Sequence, residues 1–240
     1  MQDLELKSAK KSLSELGIKN ASGVMWNLSP AELVEHALLN QEAVLTDNGA
    51  LMADTGTFTG RSPKDRFIVK DINTAESVWW GDVNIAFDEV KFDELHQKMV
   101  NFLADKKLYV REAFAGADDN YRLNLTVVNT LAWQNLFCYN MFLRPSAQEL
   151  ENFDSDFTII CAPEFEADPE IDGTRQKNFA IINLTKRMIL IGGTAYAGEM
   201  KKGIFSVLNY ILPHEKNVLS MHCSANVGKK GDTAIFFGLS

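Results

Sequence analysis

The sequence predicts a mixed α/β (α+β) fold organised around a substantial central sheet flanked by helices. Two patterns point there: short apolar runs of strand length, and amphipathic stretches with three- and four-residue spacing that alternate with them. A third is composition. With 46% hydrophobic and 23% charged residues over 240 positions, the chain can bury the core of one large domain, or of one domain and the start of another.

The first helix start is Ser29-Pro30-Ala31-Glu32. The serine supplies an N-cap hydroxyl, proline fits the first helical position, and glutamate stands where a capping box needs it. The helix then continues through Leu33, Val34, Ala37 and Leu38. Phe92, Leu95, Met99, Phe102 and Leu103 form the apolar face of a second helix. A third spans residues 131–142 and stops before Arg144-Pro145, because the position preceding proline is driven out of helical geometry. Strands are announced by Leu123, Leu125 and Val127 at period two, and by the runs Phe157-Thr158-Ile159-Ile160, Phe179-Ala180-Ile181-Ile182 and Met188-Ile189-Leu190-Ile191. Residues 145–156 are polar and acidic and read as a surface loop. A break is expected between Pro213 and Lys216, dividing residues 1–213 from residues 214–240. The second part is glycine-rich and ends in the strand-like Thr233-Ala234-Ile235-Phe236-Phe237, followed by Gly238-Leu239-Ser240.

Several function classes are disfavoured. No apolar run approaches the roughly 20 residues that span a bilayer, and the first residues lack the basic and apolar regions of a secretory signal. Cys138, Cys161 and Cys223 are scattered without metal-binding or disulfide-framework spacing, which points to a reducing compartment, the cytoplasm. A net charge of −8 argues against nucleic acid as a partner. It leaves room for a small anion in a locally basic cleft.

Four segments could carry chemistry. In residues 55–69, two glycines and several hydroxyl residues precede Arg61, Lys64 and Arg66, so three cations fall within six positions. Such a segment reads either as an anion site, arginine offering a fork of donors to carboxylate or phosphate, or as a solvated basic turn leading into the strand Phe67-Ile68-Val69. In residues 191–203 a strand passes through Gly192-Gly193 into a helix carrying Lys201 and Lys202. Sites in open α/β sheets lie at such carboxyl ends, and adjacent ammonium groups lower each other's pKa. The plainer reading is an exposed helix start with two solvated lysines. Of four histidines, His36 and His96 fall on helices and His214 in a polar turn; His222 follows Val218-Leu219 at what reads as a strand end. Alone it is as compatible with a structural role as with a metal, and Cys223 beside it reads as a packed thiol. Last, Phe236-Phe237-Gly238-Leu239-Ser240 is a strand running into Gly-x-Ser, the way a phosphate-binding loop opens.

Taken in order, these segments resemble the ATP-type phosphoenolpyruvate carboxykinases. The resemblance rests on Thr59-Gly60-Arg61-Ser62-Pro63-Lys64-Asp65-Arg66-Phe67, Asn183-Leu184-Thr185, Gly192-Gly193-Thr194, Tyr196, and Gly198-Glu199-Met200-Lys201-Lys202-Gly203. It continues through Met221-His222-Cys223-Ser224-Ala225-Asn226-Val227-Gly228 and Phe236 to Ser240. It implies an enzyme that decarboxylates and phosphorylates oxaloacetate with ATP, giving phosphoenolpyruvate, CO2 and ADP, a step of gluconeogenesis. By motif, Arg61 would hold the substrate carboxylate or nascent CO2 and Tyr196 would contact the substrate. Lys202 and His222 would ligate Mn2+, Lys201 would add positive potential, and Gly238, Leu239 and Ser240 would begin the cradle for ATP with its Mg2+. The resemblance also implies a substrate-side domain over residues 1–213, an incomplete nucleotide-binding domain from 214, and a functional partner in the remainder of its own chain. The chain stops inside the phosphate loop, so the 240-residue piece is expected to show no turnover by itself. Other readings are a non-enzymatic anion- or metal-binding domain and a GTP-using relative.

Overall fold

The computed structural model describes residues 13–238. Its centre is an eight-stranded mixed sheet. In chain order the strands are β1 (Gly23–Trp26), β4 (Arg66–Lys70), β5 (Ile85–Asp88), β6 (Lys107–Ala115), β7 (Leu123–Asn129), β8 (Phe157–Ala162), β9 (Phe179–Asn183) and β10 (Met188–Gly192). In space they run β1-β6-β7-β8-β10-β9-β4-β5. The β6/β7 and β9/β10 pairs are antiparallel and the remaining neighbours parallel. Two small hairpins stand apart from it: β2 (Ala43–Leu45) with β3 (Leu51–Ala53), and β11 (Ser224–Val227) with β12 (Thr233–Phe236).

Strand periodicity divides the core. Val128, Ile160, Ile181 and Leu190 point to one face, where they meet Phe92, Leu95, Met99 and Leu103 of α2 (Glu89–Leu103). Their neighbours Val127, Ile159, Ile182, Ile189 and Ile191 point to the other. There they pack under Cys138 of α3 (Ala132–Met141) and under Met200, Ile204, Val207 and Ile211 of α6 (Gly198–Lys216). Each of those large apolar side chains contributes about 1.5–3 kcal/mol by leaving water, so the seating of α6 on the sheet is firmly specified. A third, smaller cluster joins Leu33 and Ala37 of α1 (Pro30–Leu39) to Tyr109 and Ala132. Ser29 caps α1 in a complete capping box with Glu32, as the sequence signature requires.

The three helices and four strand runs expected from periodicity all form. Residues 145–156 are mostly loop but contain a short helix, α4 (Ala147–Leu150); α5 (Pro169–Asp172) is equally brief. Two expectations change. Helix α6 continues through Pro213 to Lys216 and ends on Asn217 in the left-handed conformation, so His214 lies in its last turn and not in a polar turn. Proline at that point lacks an N–H and strains the helix, but the apolar face through Ile211 holds it in register. His222 precedes a strand instead of ending one: residues 217–223 are irregular and β11 begins at Ser224. Among the described residues, no helix is long and apolar enough to cross a membrane.

Candidate active site

Strands β7, β8 and β10 end at the same edge of the sheet where β9 and β4 begin. After β10 the chain turns through Gly192 and Gly193. Gly193 has φ +66°, and a β-carbon there would come within 2.6 Å of the Lys177 carbonyl oxygen. Only glycine fits both demands. The turn releases Thr194, whose hydroxyl accepts from the Tyr196 N–H at 3.2 Å, and then starts α6. The half-buried Tyr196 ring lies over Gly198, so close that a β-carbon would sit 2.5 Å from Cε1.

The segment carrying Arg61 is fastened to this helix start. Its Pro63–Asp65 portion is one turn of 3-10 helix, and Asp65 at its end is buried. Asp65 accepts from Arg175 Nε and Nη2, each at 2.8 Å, and from Gln176 Nε2 at 2.6 Å. The Ser62 N–H donates to Glu199 Oε1 at 3.0 Å. Arg66 reaches the same helix, donating to the Lys202 carbonyl at 3.2 Å and to Ser206 Oγ at 2.9 Å, with its Nε 3.4 Å from Glu199 Oε2. Two loops remote in sequence thus meet across the first two turns of α6.

Four cations gather there. Burial, then the charges of Arg61, Lys201 and Arg66, hold the Lys202 ammonium below the usual lysine range. Burial also lowers the Arg66 guanidinium, with Glu199 opposing and Arg61 reinforcing the shift. Lys202 Nζ lies 4.9 Å from the centroid of the Phe205 ring, and the His222 ring meets that same ring edge-on at 5.0 Å. An amine and an imidazole therefore meet the same ring, with Lys201 exposed on the adjoining helix position. A lysine nitrogen can bind a metal only without its proton, a requirement that Lys202 would have to meet before it and His222 could serve as two nitrogen donors. Among the described residues no group of three or more His, Cys, Asp or Glu converges, so further donors to such an ion must come from elsewhere.

Not every expected residue joins. Gly238 is exposed just beyond the outlying β11/β12 hairpin, with no heavy atom within 4 Å of where a side chain would begin. Leu239 and Ser240 lie outside the described residues. Conversely, Glu199, Asp65, Arg175 and Phe205 carry parts of the arrangement to which the sequence alone assigned no role, and Arg66, read there as a candidate anion-binding cation, instead braces the helix. Glu199 in a first helical turn reads as ordinary dipole compensation, and Arg175 has no local pattern at all. Beneath the helix, Cys138 Sγ lies 3.6 Å from Met200 Sδ, and burial pushes its thiol up to about 12, which makes it a packing group.

The phosphoenolpyruvate carboxykinase family model matches residues 22–240 of this chain. The chain belongs to that family. Similar proteins include the phosphoenolpyruvate carboxykinase (ATP) of Christiangramia forsetii, 58% identical over 229 residues that make up 95% of this chain and 43% of that protein. The protein of that name from Flavobacterium johnsoniae gives the same identity and shares. The one from Amoebophilus asiaticus is 54% identical over 95% of this chain and 44% of its own length. This chain thus spans less than half the length of those relatives.

Proposed function

We propose that this chain forms the substrate side of an ATP-dependent phosphoenolpyruvate carboxykinase site, turning oxaloacetate and ATP into phosphoenolpyruvate, CO2 and ADP. The observation that carries the reading is that the residue after Arg61 is tied through its N–H to Glu199 at the start of α6, while Lys202 and His222 both meet the ring of Phe205 on that helix. Membership of the family and the names of the relatives support it.

Arg61 pairs with a substrate carboxylate, its planar fork matching the two oxygens. Tyr196 flanks the substrate from the turn after β10. When the carbon–carbon bond to the departing carboxylate breaks, the electron pair passes into an enolate while CO2 leaves. Lys201 and Arg61 place fixed positive charge where that enolate oxygen develops its charge, and such preorganised groups act strongly once water is excluded. The enolate oxygen then attacks the ATP γ-phosphorus and ADP departs, a step governed by positioning and charge neutralisation. Lys202 and His222 are the groups that would hold Mn2+, which supplies Lewis-acid stabilisation of the enolate when bound. ATP would arrive with Mg2+, and residues from 214 onward would open the nucleotide-binding domain, Gly238, Leu239 and Ser240 beginning the phosphate cradle. The separateness of the β11/β12 hairpin, exposed along its whole length, supports that division. The free cysteines support a cytoplasmic location.

The test is phosphoenolpyruvate formation from oxaloacetate and ATP by the protein expressed at the full length of its gene, with Mn2+ and Mg2+ present. Arg61→Ala and Lys202→Met should each lower kcat/KM by about a hundredfold or more. Full activity in either variant, or no activity in the parent, overturns the reading.

A further inference from the structure

We propose that Glu199 and Arg66 are a positioning pair that sets the placement of Arg61 against Lys202, an inference resting on the function proposed above. Glu199 is 3% exposed and makes no contact that requires it to touch a substrate. Its Oε1 takes the Ser62 N–H, a group on the peptide that joins Arg61 to Ser62. That peptide is planar, so fixing its N–H also orients the Arg61 carbonyl and α-carbon. Arg66 does the matching work at the other end by donating to the Lys202 carbonyl and to Ser206 Oγ one turn further along. The 3.4 Å contact between Arg66 Nε and Glu199 Oε2 couples the two anchors. The backbones of both proposed site residues are thereby held by one charged unit.

Packing alone does not explain a glutamate at this place. Burying a carboxylate costs several kcal/mol unless it is compensated, and glutamine or methionine would fill the same volume. Compensation here comes from the Ser62 N–H on Oε1 and, for Oε2, which accepts no hydrogen bond, from the Arg66 guanidinium 3.4 Å away and the positive end of α6. Asp65, the other buried carboxylate of this segment, is occupied by Arg175 and Gln176. Among the described residues, Glu199 is thus the carboxylate ion-paired within the Arg61, Arg66, Lys201 and Lys202 set. It keeps four like charges at one helix end without touching the group that meets the substrate.

The test uses oxalate as the dicarboxylate probe, titrated by calorimetry in the presence of Mn2+ into the chain and into Glu199→Gln, Arg61→Ala and the double variant. Glu199→Gln keeps the volume and an acceptor for Ser62 but loses the charge facing Arg66. It should weaken oxalate binding by about tenfold, the scale of one charge-assisted contact. The double variant should bind more tightly than the product of the two single losses requires, because much of the glutamate's effect passes through that arginine. A purely structural role would instead lower the melting temperature and leave affinity alone, or make the two losses multiply; either result overturns the proposal. Arg66→Lys, which keeps the charge but cannot span Lys202 and Ser206 together, should weaken binding similarly, and unchanged affinity there contradicts the pairing. Wild-type binding that is absent, or untouched by Arg61→Ala, sinks the functional reading as well. Wild-type binding lost with Arg61→Ala but kept in Glu199→Gln sinks the positioning pair alone.

Discussion

Substituting alanine at two glycines of the turn into α6 should have opposite consequences, and the structure says by how much. At Gly193 the backbone has φ +66°, where a β-carbon costs roughly 1–2 kcal/mol. The added carbon would also lie 2.6 Å from the Lys177 carbonyl oxygen and 2.7 Å from the Asn178 α-carbon. Those are backbone atoms of the adjoining chain that cannot swing aside, and overpacking of this kind costs about 1–3 kcal/mol more. At about 2–4 °C per kcal/mol for a domain of this size, Gly193→Ala should lower the melting temperature by about 10 °C. At Gly198 the carbon would meet Tyr196 Cε1, Cζ and Oη at 2.5, 2.8 and 2.9 Å. These are the outer atoms of a half-buried ring that can rotate away, and helix propensity gains up to about 1 kcal/mol. Gly198→Ala should therefore keep or raise the melting temperature while displacing Tyr196 and weakening oxalate binding. Differential scanning calorimetry with oxalate titration reads both. A Gly193→Ala protein melting within about 1 °C of wild type, or a Gly198→Ala protein melting below it, refutes the reasoning.

Other expectations follow from the same geometry. Burial raises the Glu112 carboxyl above its ordinary range, against the lowering effect of its hydrogen bond from Asn27. A raised folded-state value means that the group favours folding below its unfolded pKa and loses that contribution as pH rises through the folded pKa. Glu112→Gln should then stabilise the protein at neutral pH, with the gain shrinking on acidification through the carboxylate range; a gain independent of pH in thermal melts contradicts this. Arg175→Ala leaves the buried Asp65 charge without its bidentate partner and should lower stability in urea denaturation. Asp65→Asn should cost less, because Arg175 is half in solvent and rehydrates. The reverse order of the two variants would show that the ion pair does not hold the Arg61 segment.

Elements whose burial follows a simple period were legible. The α2 face at Phe92, Leu95 and Met99 and the two-sided runs of β8, β9 and β10 read directly, because sheets covered on both faces tolerate unbroken apolar sequence. Strand β6 did not, although Leu108, Tyr109, Val110 and Phe114 are buried. Arg111 and Glu112 interrupt its pattern. Arg111 is buried because Asn135 and the Leu28 carbonyl take its guanidinium, and Glu112 is half-buried because the Asn27 side chain donates to its carboxylate and accepts from its N–H. No local signal announces partners supplied from so far along the chain. Strand order was equally hidden: β9 pairs with β10 by a short hairpin but with β4 across more than a hundred residues. The motifs named Arg61, Lys202 and His222 as residues, while the ties of the Arg61 segment to α6 through Glu199 and Arg66, and the contact of Lys202 and His222 with Phe205, emerged only from the fold. His222 was misplaced relative to its strand because Val218 and Leu219 look like strand residues, yet Leu219 is largely exposed.

In the proposed site Lys202 and His222 would offer their nitrogens to one metal ion. Titrating Mn2+ into the chain and following the free-ion electron paramagnetic resonance signal addresses it most directly. One Mn2+ site is expected in the wild type, lost in both Lys202→Arg and His222→Ala, and retained in Arg61→Ala. Equal Mn2+ uptake by the wild type and either nitrogen variant would contradict it.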